Sequence, residues 1–175
     1  MESVTYRVAL FLQKLLRERT DHNVNIIDVR DWALPMLQQE VYSSVERTPE
    51  ALKPLAERMF GADAFIMVSP EYNGSYTPAI KNLFDHFPKQ SHKAFGIVTA
   101  SPGAMGGMRA SQQMQLLVNA LFGIGLPQML IIPGVDKKFS PDGDLLDAGF
   151  HRNADLFIHE FLWLAEKLVA HKAVA

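Results

Sequence analysis

With 175 residues, 48% hydrophobic and 21% charged, the chain has the size and composition of a single globular domain spanning residues 1–175. Its net charge of -2 comes with no massed basic residues, which gives no electrostatic reason to expect nucleic acid or an anionic membrane as a partner. The absence of cysteine excludes disulfides, thiol nucleophiles and thiolate metal sites, and no signal-peptide pattern or apolar run near the roughly 18 residues of a membrane span is present, so a soluble cytoplasmic protein is expected.

The first predicted element is an amphipathic helix beginning near Ser3, with Val8, Phe11, Leu12, Leu15 and Leu16 on one stripe. NVNIIDV, Asn23 to Val29, reads as the first strand. A loop containing Trp32 and Pro35 then leads to Thr48 and Pro49, a cap-plus-proline start for a helix carrying Leu52, Leu55, Ala56 and Met59 and ending at Gly61. DAFIMV, Asp63 to Val68, is a continuous apolar run suited to a strand buried on both faces of a parallel sheet. After the loop SPEYNGSY comes a helix with Thr77 as N-cap, Pro78 in its first turn and Ile80, Leu83, Phe84 and Phe87 at helical spacing.

A strand from Lys93 to Ala100 follows, then a glycine-rich turn from Ser101 to Arg109 and a helix marked by Met114, Leu117, Val118 and Leu121. LPQMLIIP, Leu126 to Pro133, is the last predicted strand. A polar, turn-rich segment separates it from a closing helix with Phe157, Phe161, Leu164 and Leu168 inward. The alternation predicts a parallel sheet covered by helices on both faces. Four strands against five helices is an odd count for such a sheet, because the first helix has no strand feeding it.

The six histidines show no metal-ligand spacing, and Ser69, Ser75 and Ser101 lack a nucleophile elbow, so neither a metal site nor hydrolysis is expected. In open α/β sheets, ligands bind at loops leaving the carboxyl ends of strands. Both the SPEYNGSY loop and the glycine-rich turn are such loops. Taken singly, each has a structural explanation, since glycines at a strand-to-helix junction usually serve only the turn.

SPEYNGSYTPAIKNLFDHF, Ser69 to Phe87, together with SPGAMGGMRASQQMQLLVNALFGIG, Ser101 to Gly125, resembles the NADPH-dependent FMN reductase family, flavodoxin-like proteins that include quinone, azo-dye and chromate reductases. The resemblance spans the chain and is strongest from Asp63 to Pro127. It implies a flavodoxin-like doubly wound parallel sheet in three α/β/α layers, FMN as cofactor, NADPH or NADH as cosubstrate, and a homodimer or homotetramer. In the family a strand and a phosphate loop, Gly-Ser-x-Arg-x-x-Ser-x-Asn, precede the first helix. Ser3 matches the second serine and Thr5 stands in place of the asparagine, so the first central strand and half of the phosphate seat are expected to be absent from this sequence.

The resemblance places Pro70, Glu71, Tyr72, Asn73 and Tyr76 at the border of the flavin. Tyr72 suits a wall or rim of the ring, Asn73 an amide-like edge, and Gly74 a close approach of backbone. Ser101, Gly103, Gly106 and Gly107 would present backbone N–H groups to the pyrimidine edge, stabilising the negative charge of the reduced ring. Glu71 reads equally as a solvated carboxylate or helix-cap contact and as a ligand, and counts for its backbone. Arg109 reads as a solvated helix residue rather than a phosphate contact. Trp32 and its loop suit a cover over the substrate side or a subunit interface.

These features predict an FMN oxidoreductase that takes hydride from NAD(P)H and passes it to a quinone or similar small-molecule acceptor, with no side chain acting as acid or base. The rival reading is a flavodoxin-like binding or scaffold protein that has lost FMN. A one-electron carrier fits less well, because such carriers tend to be strongly acidic and this chain is nearly neutral.

Overall fold

The most apolar stretch of the chain becomes the centre of the sheet. In the computed structural model, which describes residues 3–38 and 41–172, β2 (Ala94–Ser101) is buried along all but its last residue. It pairs in parallel with β1 (Ala64–Ser69) on one side. On the other it pairs with β3 (Ile124–Gly125) along its first half and β4 (Leu130–Pro133) along its second.

Alternation along β2 sends its side chains to two separate cores. Ala94, Val98 and Ala100 enter a cluster with α1 (Val4–Arg19) and α5 (His151–Lys172). Phe95 and Ile97 enter the other, with α2 (Lys53–Gly61), α3 (Pro78–Asp85) and α4 (Met108–Ala120). Helices on both faces of a parallel sheet make three α/β/α layers. Fully burying a side chain such as Phe95, Phe157 or Leu55 stabilises the fold by roughly 1.5–3 kcal/mol each.

Three expectations are corrected. Asn23–Val29 is not a strand. Its side chains are placed as a strand's would be, with Val24 against one core and Ile27 and Val29 against the other. No described strand offers it a ladder, however, and the outer edge of β1 has no strand partner among the described residues. Side chains take over its carbonyls: Gln13 Nε2 and Arg17 Nη2 donate to Val24 O at 3.0 and 2.8 Å, and Arg58 Nη1 donates to Ile26 O at 3.2 Å.

The last predicted strand is interrupted. Leu126 N–H still bonds Phe95 O at 2.8 Å, but Pro127 has no N–H to continue the ladder, and pairing resumes only at Leu130. The second helix opens not at a Thr48 cap but with a 3-10 turn at Glu50–Leu52. Thr48 does not cap it; its hydroxyl donates to Ser44 O at 2.8 Å instead.

Candidate functional site

Two loops leave the carboxyl ends of adjacent strands. The first, from Ser69 to Thr77, is a miniature hairpin. Tyr72 and Ser75 exchange both backbone hydrogen bonds at 2.8 and 3.0 Å across Asn73 and Gly74, whose φ values of 50° and 83° are those of a type I′ turn. Asn-Gly is the dipeptide that best tolerates this geometry, so both residues have a structural role here. The base of the hairpin is closed by Ser69, fully buried, whose hydroxyl donates to Pro70 O at 2.8 Å and accepts from Thr77 N–H at 3.2 Å. Tyr72 projects from the tip with 59% of its surface exposed. Tyr76 lies half-buried against the α2/α3/α4 core, and burial holds its phenol above the ordinary tyrosine range.

The second loop, from Ser101 to Gly107, is fixed from beneath. A Cβ on Gly106 would lie 2.7 Å from Pro133 N, and one on Gly107 would lie 2.9 Å from Thr99 Cβ. Both residues have positive φ, 60° and 88°. Their lack of a side chain is therefore required by the protein's own strands, not by room for a ligand alone. Ser101 Oγ accepts from Gly103 N–H at 3.1 Å and Gly103 O from Gly106 N–H at 3.2 Å. Among the described residues no acceptor meets the N–H groups of Ala104, Met105 or Gly107.

The loops meet at Glu71. Gly107 occupies the N-cap position of α4 and has no side chain to cap it. The cap comes instead from the hairpin: Arg109 and Ala110 N–H groups donate to Glu71 Oε2 at 3.1 and 3.3 Å. A carboxylate at this end of a helix also meets the positive end of the helix dipole. Arg109 itself is an exposed residue whose Nη1 stands 3.7 Å from Glu71 Oε1, a weak surface pair. The helix-cap contact, one of the roles expected of Glu71, is present.

Ser3 is the N-cap of α1, accepting from Tyr6 N–H at 3.4 Å, and Thr5 lies in the first turn. Arg7 Nη1 bonds Phe139 O, in the segment after β4, so the first turns of α1 lie at the carboxyl end of the sheet. No described hydrogen bond joins Ser3 or Thr5 to either loop. The Trp32 loop is moored on α3, where Asn82 donates to Pro35 O at 2.9 Å and accepts from Leu37 N–H at 3.0 Å. With Tyr42, Pro49 and Leu52 it lines a cleft of about 510 Å³.

Features without a mark in the sequence include the buried Thr99 hydroxyl beneath Gly107, which has no partner among the described residues, and the exposed Met105 in the glycine turn and Met108 just after it. Thr99 is hidden inside an otherwise apolar strand, and only its position under a glycine of positive φ marks it. No group of three metal-ligating side chains occurs among the described residues, and none of the described helices is long and apolar enough to cross a membrane.

A parallel sheet between two helical layers, with two loops joined at adjacent strand ends, defines a flavodoxin-like protein. The structure superposes on the flavoenzyme NAD(P)H:(acceptor) oxidoreductase FerB from Paracoccus denitrificans with a TM-score of 0.79 at 23% identity, covering 95% of this chain and 92% of that one. An oxidoreductase from Corynebacterium diphtheriae gives a TM-score of 0.66 at 14% identity over 93% and 86%. In sequence, the FMN-dependent NADPH-azoreductase of Staphylococcus saprophyticus is 29% identical over 150 residues, 83% of this chain and 79% of that protein. The enzyme of the same name from Staphylococcus aureus is 28% identical over 123 residues, 68% and 65% of the two chains. The model of the NADPH-dependent FMN reductase family matches residues 1–136, and the chain belongs to that family.

Proposed function

We propose that the protein is an NAD(P)H-dependent FMN oxidoreductase that passes two electrons to a planar acceptor, a quinone or an azo compound. The observation that carries this reading is an exposed aromatic ring, Tyr72, on the loop joined to a turn whose Ala104, Met105 and Gly107 N–H groups have no acceptor among the described residues. The residues fit FMN in their donor set. The flat ring of Tyr72 suits one wall of an isoalloxazine, and three unpaired N–H groups on a tight turn form a partial positive charge suited to its pyrimidine edge. The buried Thr99 hydroxyl adds a polar atom under the same turn.

Bound FMN would supply the redox chemistry, taking hydride from NAD(P)H and giving it up to the acceptor. The side chains are assigned holding and orienting roles, and no proton transfer is assigned to any of them. Ser3 and Thr5 would serve the phosphate through the first turn of α1, whose N-terminal N–H groups and dipole favour an anion. The azoreductase names of the relatives support an azo compound as one acceptor class. Self-association as a dimer or tetramer belongs to the same proposal, supported by exposed Leu156 and Trp163 seven residues apart on α5.

The test is the purified full chain mixed with FMN and assayed for NADPH oxidation with a soluble quinone and with an azo dye. Flavin uptake with acceptor-dependent oxidation is the expected result. A chain that takes up no FMN would instead fit a binding or scaffold protein on the same fold.

A further inference from the structure

The hairpin and the glycine turn approach each other, and one side chain joins them. Glu71 reaches across a separation of 38 residues to place Oε2 between two N–H groups of α4's first turn. Its side chain is only 18% exposed, while the Arg109 side chain beside it is 68% exposed. The hairpin behind Glu71 is stiff, because Tyr72 and Ser75 are doubly bonded and Ser69 fastens its base. Fixing the Glu71 carboxylate therefore fixes the Tyr72 backbone, from which the ring projects, relative to the glycine turn. At the same end of α4, Gly74 packs toward Arg109 Cδ, at 3.7 Å from its notional Cβ.

We propose that Glu71 is a positioning residue for the flavin site, setting by its reach the spacing between the Tyr72 wall and the N–H groups of the glycine turn. This rests on the reading that FMN binds between the two loops. The electrostatic corollary is that the positive end of α4 is already met by a protein carboxylate. The donors for the flavin edge are then the earlier N–H groups of the turn rather than the helix terminus. Reach and charge can be separated: glutamine keeps the length and one acceptor oxygen, whereas aspartate keeps the charge and is one methylene shorter.

The experiment uses the full-length chain as wild type, Glu71→Gln and Glu71→Asp, with FMN affinity read from flavin fluorescence quenching and exchange of the Arg109 and Ala110 amides read by hydrogen exchange in the apo protein. Glu71→Gln is expected to bind FMN within about threefold of wild type with both amides still slow, as an acceptor oxygen remains in reach. Glu71→Asp is expected to bind at least about tenfold more weakly with both amides fast, the tight fit of the site being lost with the clamp. Equal FMN affinity in all three proteins would overturn the positioning role while leaving the site in place. Retained affinity in aspartate and lost affinity in glutamine would assign the effect to charge and overturn it too. A wild type that quenches no flavin would overturn the reading of the site itself, and the inference with it.

Discussion

Gly106 and Gly107 carry the glycine turn across the ends of β2 and β4, and each is constrained twice, by a positive φ and by backbone or a β-branched side chain within 3 Å of where its Cβ would stand. Gly106→Val is therefore expected to lower the stability of the apo protein by about 1–3 kcal/mol or more, measured by urea unfolding. A variant that loses FMN but melts unchanged would show that the turn yields more easily than its packing implies. Tyr72 presents the opposite case. Its ring is largely exposed, so Tyr72→Ala should change stability by no more than about 0.5 kcal/mol while weakening FMN binding, with oligomeric state unaltered by light scattering. The two loops are legible in the sequence, but the division of labour within them is not. Asn73 and Gly74 read as ligand contacts, although Asn-Gly between two short extended segments is also the strongest short-range signal for a hairpin turn. Glu71 lay open between two roles because the partner N–H groups are 38 residues away, and no local pattern encodes that distance.

Between elements, helices were the most legible part of the chain. Stripes at three- and four-residue spacing located all five, and β1 and β2 appear within a residue or two of the apolar runs that predicted them. Asn23–Val29 had the pattern of a strand and became none, because apolar alternation reports burial whereas a strand also requires a neighbouring backbone. The short β3 carried no signal at all, being two residues that pair only because β2 is there to receive them. The seating of α5 depends on Gly96, on the face of β2 opposite Thr99. A Cβ there would stand 2.8 Å from Phe157 Cζ and 3.1 Å from Phe161 Cδ2. Gly96→Val should push α5 outward and cost about 1–3 kcal/mol in urea unfolding. Because Gly96 lies near the amino end of β2, away from the loops and the start of α1 at the carboxyl end, FMN affinity should stay within about twofold of wild type in the folded variant, and a larger loss would couple α5 to the site.

For the whole molecule, regular hydrogen bonding is unevenly distributed. β2 is bonded on both edges and walled on both faces, so its amides open only when the whole domain does. Asn23–Val29, by contrast, is held by Gln13, Arg17 and Arg58 through three separate bonds to carbonyls. A net hydrogen bond of this kind contributes about 1 kcal/mol and does not reinforce the next one as rungs of a ladder do. The molecule should thus open in two stages, a small fluctuation that frees this stretch and a global one that frees β2. Native-state hydrogen exchange at rising sub-denaturing urea reads the global stage, the β2 amides being expected to exchange with the full slope of unfolding, while the amides of Asn23–Val29, which have no acceptor among the described residues, exchange with almost no dependence on urea. Trypsin added to the folded protein should, by the same opening, cut first after the exposed Arg30, where the side-chain-held stretch meets its 3-10 turn.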